Sequence, residues 1–168
     1  MADELEIKAG AARKASRKLA NITSDVKDRA LRSIADGLLA NQADILDANS
    51  KDITAGKENG LDESFLDRLL LNKDRLEAIA GDVLSVASLP DPVGEVLEMR
   101  SMPNGLKIGR RRVPLGVIGV IYESRPNVTI DISVLCLKSG NAVVLRGGSD
   151  AINSNTVLAG VVKKAIAD

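Results

Sequence analysis

Two short polar turns carry most of the side chains in this sequence that are placed for chemistry. Glu123-Ser124-Arg125-Pro126-Asn127 follows an apolar run from Val117 to Tyr122, and Arg146-Gly147-Gly148-Ser149-Asp150 follows a second run, Ala142 to Leu145. Arg125 and Arg146 each present a planar fork of N–H donors that suits a phosphate or a carboxylate. Gly147 and Gly148 let the backbone approach a neighbour closely. Plainer readings stand beside these. Arg125 can pair with Glu123 or a nearby loop, Asn127 can cap a helix, and Ser149 can cap the next one. A Gly-Gly turn alone does not separate a binding loop from an ordinary strand-to-helix turn.

The other reactive type is the single cysteine, Cys136. It sits among Val134, Leu135 and Leu137 with nothing nearby to lower its pKa, which makes it a buried structural thiol rather than a nucleophile. The sequence has no histidine, so Ser-His machinery and imidazole metal ligands are absent, and one cysteine makes neither an intramolecular disulfide nor a Cys-rich zinc site. No metal site is expected.

Elements must hold these turns in place. Both apolar runs read as strands buried on both faces. Between them, Val128 to Lys138 reads as a helix, stopped where Ser139-Gly140-Asn141 offers a glycine for the left-handed closing position. A further apolar, helix-like segment follows Asp150. Strand, helix, strand, Gly-rich turn, helix requires a parallel sheet, and ligands of such sheets gather at the carboxyl ends of the strands, where both turns lie.

Upstream, about 90 residues read as a helical layer. The helix Glu4 to Ala20 carries Leu5, Ala12, Ala15 and Leu19 at helical spacing. Ser24 is the expected cap of a second helix, with Val26, Ala30, Ile34 and Leu38 on its stripe. Asn41 or Gln42 opens a third, which carries Ile45, Ala48, Asn49 and Ile53 and closes at Asn59-Gly60. Asp62 caps a short helix, Ser64 to Leu70. Asn72 caps a fifth, with Leu76, Ile79, Ala80, Val83, Val86 and Ala87, ended by Leu89-Pro90-Asp91-Pro92. Asn49, an amide on an apolar stripe, is expected to make a packing or capping hydrogen bond. Glu95 to Val113 reads as a β-hairpin around Pro103-Asn104-Gly105, with Arg110-Arg111-Arg112 on its second strand. Such a ribbon is marginal alone and wants a partner surface.

The wording of the chain adds to this pattern. Pro114 to Asn127, PLGVIGVIYESRPN, resembles the opening of the cofactor domain in the aldehyde dehydrogenase superfamily. YESRPNVT (122–129), LKSGNAVVLRGGSDAINSN (137–155), Leu46-Asp47-Ala48-Asn49 and Leu89-Pro90-Asp91-Pro92-Val93-Gly94 resemble the glutamate-5-semialdehyde dehydrogenase, or γ-glutamyl phosphate reductase, family. The resemblance runs through nearly the whole chain. Chains of that family are considerably longer, and this one is expected to stop partway through the cofactor domain.

The resemblance implies an α/β fold. Residues 1–92 would be a helical layer of the cofactor domain, and 93–113 a β-hairpin that takes part in oligomerisation. Residues 114–168 would begin a Rossmann-like, parallel-sheet NADP-binding domain, with the catalytic-cysteine domain absent from this chain. It implies NADPH-dependent reduction of L-glutamyl 5-phosphate to L-glutamate 5-semialdehyde with release of phosphate, in proline biosynthesis. Where many superfamily members read Lys-Pro-Ser-Glu, this chain has Arg146-Gly147-Gly148-Ser149. Losing the glutamate removes a carboxylate that would repel a 2′-phosphate, and the set favours NADP over NAD. Where many read Pro-Trp-Asn-Phe-Pro, this chain has Glu123 to Asn127. Ser124, Arg125 and Asn127 are therefore candidates for the substrate or the oxyanion, with either Arg125 or Asn127 at the position of the superfamily's Asn. The nucleophilic cysteine belongs to a later domain. Implied partners are a homo-oligomer and the glutamate kinase that makes the substrate. Two alternatives remain at this point: a non-catalytic nucleotide-binding or oligomerising fragment, and another acyl-phosphate or aldehyde reductase of the superfamily.

Composition narrows the classes further. Among 168 residues there are one Tyr, one Phe and no Trp, so stacking platforms for nucleic acid are not on offer. The balanced 23 basic and 23 acidic side chains are unevenly spread, with residues 100–168 carrying an excess of basic ones. That excess reads either as a basic hairpin and solvated faces or as a site for a phosphate-bearing ligand. The N-terminus bears charges where a signal peptide needs an apolar stretch, and no run suits a membrane span. A cytoplasmic setting is expected.

Overall fold

The computed structural model describes residues 2–167. Five helices come first: α1 Ala2–Leu19, α2 Ser24–Ala40, α3 Gln42–Glu58, α4 Glu63–Leu69 and α5 Lys73–Ser88. An antiparallel hairpin follows, β1 Val96–Ser101 and β2 Lys107–Arg111. Then come β3 Val117–Ile121, α6 Pro126–Lys138, β4 Ala142–Arg146, a short 3-10 turn and α7 Ile152–Ala165. β3 and β4 pair in parallel, Val117 opposite Ala142 and Ile121 opposite Arg146. The parallel unit expected from the pattern is present, and no described helix is long and apolar enough to cross a membrane.

Helix starts follow the expected chemistry at two places. Asp62 Oδ1 accepts from the Phe65 N–H at 2.7 Å and Asn72 Oδ1 from the Arg75 N–H at 2.8 Å, each satisfying a free donor of the first turn. Ser24 does something else. Thr23 occupies the cap position without a side-chain bond, and the Ser24 hydroxyl donates to Asp91 at 2.8 Å. At the far end of α6, Gly140 takes φ +73. The Asn141 N–H reaches Cys136 O at 2.8 Å and the Gly140 N–H reaches Leu137 O at 3.1 Å, which closes the helix with a Schellman turn. A Cβ on Gly140 would also stand 2.9 Å from the Pro114 ring.

The core lies between helices. Leu31, Ile34, Ala35 and Leu38 of α2 and Leu76, Ile79, Ala80 and Val83 of α5 pack with Ile130, Val134 and Leu137 of α6 and Leu158 and Val161 of α7. The expected helical layer is real, but apart from α1 it packs on other helices rather than on the sheet. Helices α2, α3 and α5 pack on α6 and α7, while β4 is contacted chiefly by α1 and α6. Helices α6 and α7 already bury the apolar surface that α2–α5 must cover. Among the described side chains of α1, Ala12, Ser16 and Leu19 turn inward, and Leu5 and Ala15 of the expected stripe are exposed.

One strand expectation needs correction as well. β3 is not buried on both faces: Ile118 and Val120 are half-buried, whereas Val117 and Gly119 are exposed and Ile121 is 87% exposed. Alternation of that kind marks a strand with cover on one side only. The hairpin is exposed along both strands, and two of its arginines are tied across it, Arg112 to Glu95 at 3.2 Å and Arg110 to Glu98 at 3.4 Å.

The second helix buries a lysine where the sequence suggests a valine. Val26 is exposed, while Lys27 is 1% exposed and takes the stripe position below Leu31 and Ile34. Its aliphatic stem fills the core edge and its ammonium meets the Asp91 carboxylate at 2.7 and 3.0 Å. Burial by itself would raise the Asp91 pKa, but bonds from Lys27, the Val93 N–H and Ser24 together outweigh it and hold the carboxyl below its usual value. A carboxyl depressed on folding stabilises the protein fully above its unfolded pKa, near about 3.9, and that stabilisation fades as pH falls through the lower folded value. Denaturant midpoints measured from pH 6 down to pH 3 should therefore fall less steeply for Asp91→Asn than for the unaltered protein. Parallel pH profiles would remove this pair from the account of acid stability.

Candidate functional site

Parallel pairing of β3 and β4 sets the two polar turns side by side. The Tyr122 N–H extends the ladder to Arg146 O at 3.1 Å, so the chain leaves both strands at the same level. Ser124 is buried, and its hydroxyl donates to Asp150 Oδ2 at 3.0 Å, tying the first turn to the second. A Cβ on Gly148 would collide with the Ser124 hydroxyl and stand 3.0 Å from the Ser124 nitrogen. One on Gly147 would meet the Asn155 amide and stand 3.0 Å from the Tyr122 hydroxyl oxygen. The two glycines thus permit a close approach, and within this chain the approached group is the neighbouring turn.

A chain of hydroxyls backs this contact. Tyr122 Oη lies 2.6 Å from Thr129 Oγ1, and Thr129 donates to Asn155 Oδ1 at 2.7 Å, which leaves the Tyr122 hydroxyl as donor to Thr129. Thr129 is fully enclosed. Strand β3, helix α6 and helix α7 are thereby joined just behind the two turns.

The remaining site candidates face elsewhere. Arg146 ends β4 with its side chain exposed, and among the described residues no carboxylate lies within ion-pair distance of it. Ser149 opens the 3-10 turn; the cap position belongs to Gly148 and has no side-chain bond, so Ser149 is not the cap the sequence allows. Asn127 is not a cap either. Arg125 holds that position by its backbone, and the Asn127 amide donates to Asp131 Oδ2 at 3.1 Å one turn on. Arg125 does approach Glu123, loosely, at 3.8 Å. Arg125 and Asn127 line a cleft of about 400 Å³ against α4 and α5, with Arg68, Arg75, Asp67 and Asp82. The first turn therefore divides: Ser124 locks onto the second turn, while Arg125 and Asn127 look into the cleft.

Cys136 is buried in α6, and burial pushes its thiol up, away from the thiolate form. No group of three or more His, Cys, Asp or Glu among the described residues is placed to hold a metal ion.

Two buried polar groups that position the site were invisible or half-visible in the sequence. Asn49 packs as expected of it: its amide donates to Leu69 O at 2.8 Å and to Ser154 Oγ at 3.1 Å, and its oxygen accepts from the Leu71 N–H at 2.8 Å. Asp52, three residues on, is 2% exposed. Its carboxylate accepts from the Asn153 and Ser154 N–H groups and both side chains, at 2.6 to 3.2 Å, and so caps α7 from a different helix. The signal was its position seven residues after Ile45, on the buried stripe.

With this geometry in view, comparison with known proteins is informative. A γ-glutamyl phosphate reductase of Dehalococcoides mccartyi is 56% identical over 163 residues, which is 97% of this chain and 38% of the relative's length. The crystal structure of γ-glutamyl phosphate reductase from Thermotoga maritima superposes with a TM-score of 0.96 at 44% identity, covering 98% of this chain and 40% of that one. The chain belongs to the γ-glutamyl phosphate reductase family. It matches an N-terminal part and spans about two fifths of the length of these relatives. No family model matches it. A benzaldehyde dehydrogenase from Corynebacterium glutamicum, 23% identical with a TM-score of 0.69 over 93% of this chain, shares the fold. The aldehyde dehydrogenase-like architecture is thus common to the γ-glutamyl phosphate reductases and this chain.

Proposed function

We propose that this chain forms the nucleotide-facing N-terminal part of a cytoplasmic, NADPH-dependent reductase. It converts L-glutamyl 5-phosphate to L-glutamate 5-semialdehyde with release of phosphate, in proline biosynthesis. The observation that carries this reading is the 56% identity to a γ-glutamyl phosphate reductase over 163 residues, a stretch that includes both polar turns. In this reading residues 1–92 and 114–168 are parts of one cofactor domain, and the exposed hairpin of 93–113 is the element that contacts a second subunit.

The residues present fit a phosphorylated nucleotide. Arg146 offers an exposed guanidinium with no described carboxylate in reach, at the carboxyl end of a parallel strand and beside the Gly147-Gly148 backbone. Arg146, Gly147, Gly148 and Ser149 hold the nucleotide in this proposal, which supplies a hydride when bound. Arg125 and Asn127 stand toward the substrate. Ser124 serves by holding the turns together, since its hydroxyl is committed to Asp150. The substrate comes from a glutamate kinase, a candidate partner.

The test is the reverse reaction in the full-length protein, with glutamate semialdehyde, phosphate and NADP, read as NADPH formed. Phosphate-dependent turnover is expected; none, or turnover indifferent to phosphate, would overturn the proposal. The 168-residue chain alone should be inactive, because its one thiol is buried and held protonated. Cys136→Ser in the full-length enzyme should leave most activity intact. Turnover by the short chain that Cys136→Ser abolishes would contradict this.

Arg146→Ala reads out the cofactor assignment. A charge-assisted hydrogen bond contributes about 1.5–3 kcal/mol, so loss of the 2′-phosphate contact should weaken NADPH binding roughly 10- to 150-fold. NADH binding should change little. Equal losses for both would place Arg146 in the fold or at the shared ribose.

A further inference from the structure

The cleft between α4, α5 and the start of α6 has a charge pattern that its own internal pairs do not exhaust. Arg75 is fully occupied: it donates to the backbone oxygens of Asp67 and Leu70 and pairs with the Asp67 carboxylate at 2.6 Å. That removes Arg75 and Asp67 from the account. Arg68 lies over the Phe65 ring at 5.5 Å with no carboxylate of a described residue in ion-pair reach. Arg125 has only Glu123, at 3.8 Å. On the opposite sign, no described residue makes a hydrogen bond or ion pair to the Asp82 side chain. Burial first, and the Asp82 charge after it, push the Asp131 carboxyl up, against the lowering bond from Asn127. The cleft thus carries exposed groups of both signs that no strong internal pair neutralises, Arg68 and Arg125 against Asp82.

We infer that this cleft holds the zwitterionic α-amino-acid head of the substrate, with Arg125 taking the α-carboxylate and Asp82 the α-ammonium. The inference rests on the proposed function and names what that reading leaves open, the part of the site that tells an amino acid from a plain dicarboxylate. A space of about 400 Å³ accommodates a group of this size. Arg125 can bind a carboxylate bidentately, and it stands at the N-terminus of the 13-residue α6, whose partial positive charge favours the same anion. Asn127, whose amide is held by Asp131, lines the same cleft. A ligand lacking the amine leaves Asp82 without its cation, and one lacking the carboxylate leaves Arg125 without its anion. The site discriminates by those two absences.

Binding to the full-length protein tests this without requiring turnover. The probes are L-glutamate, glutarate, which lacks the amine, and 4-aminobutanoate, which lacks the α-carboxylate, each titrated by calorimetry. L-glutamate should bind about tenfold or more tightly than either. Asp82→Asn should erase the preference over glutarate while leaving glutarate binding unchanged. Arg125→Gln should erase the preference over 4-aminobutanoate. Equal affinity for the three probes, or an Asp82→Asn loss shared equally by glutamate and glutarate, overturns the inference. A protein that prefers glutamate in this way but reduces no acyl phosphate contradicts the proposed reaction and leaves the amino-acid cleft standing. One that turns over the acyl phosphate without the Asp82 and Arg125 preferences does the opposite.

Discussion

Replacing Asp52 by alanine should cost the full-length protein about 3–5 kcal/mol of stability, because it strips one enclosed carboxylate from several donors at once. Asp52 is 2% exposed and receives the Ser154 N–H at 2.8 Å, the Ser154 hydroxyl at 2.6 Å, the Asn153 N–H at 3.2 Å and the Asn153 amide at 2.8 Å. Two of those are backbone donors at the start of α7 that have no partner inside the helix. Without the carboxylate the enclosed Ser154 N–H stays unsatisfied, and the favourable charge at the helix N-terminus is lost with it. The damage would spread, since Ser154 also accepts from Asn49, which in turn holds the chain at Leu69 and Leu71. Asp52→Asn should recover only part of the loss, because its NH₂ faces donors. Denaturant unfolding of the two variants against Asp47→Ala provides the measurement. Asp47 lies on the same helix, largely exposed and paired only with Lys51, and its removal should be nearly silent. An Asp52→Ala midpoint equal to that of Asp47→Ala would show that water replaces the carboxylate at the α7 cap.

Asp52, Lys27 and Lys138 show where the sequence stops being legible. Apolar periodicity located the helices because a buried stripe repeats every three or four residues, and the Asp62 and Asn72 caps followed because their bonds are local. A charged residue on such a stripe gives no local sign of burial. Its partner is remote: Asp91 lies 64 residues from Lys27, Asp28 lies 110 from Lys138, and Ser154 lies 102 from Asp52. Each of the three nonetheless falls at a stripe position, and that register was the available signal. The site was legible to a similar depth. Parallel strands and their two turns followed from the pattern, and so did the burial of Cys136. That Gly147 and Gly148 press against Ser124, Tyr122 and Asn155, and that Arg125 and Asn127 turn to a different cleft, depends on how two turns meet in space. Only the fold supplies that.

The chain by itself should associate in solution. A parallel sheet is stable when both faces and both edges are covered, and β3 has β4 along one edge with no described strand on the other. Val117 and Ile121 leave an apolar face open, and Val113 and Leu115, just before the strand, are 73% and 86% exposed. The hairpin adds Val96, Leu97, Met99, Leu106 and Ile108, none of them buried. Together these leave large apolar side chains exposed along both the hairpin and the β3 edge. The helical core of α2, α5, α6 and α7 is well enclosed, so the helices should persist while the strands find partners in other copies. Sedimentation of the isolated chain should therefore show species larger than the 17.7 kDa monomer, growing with concentration. A lysine at position 121, projecting from the open face, should oppose that growth, whereas one at 113, outside the strand, should matter less. A monodisperse monomer that unfolds in one steep transition would mean that α1, α6 and the hairpin close the sheet unaided, and the open face of β3 would then have to be stable in water.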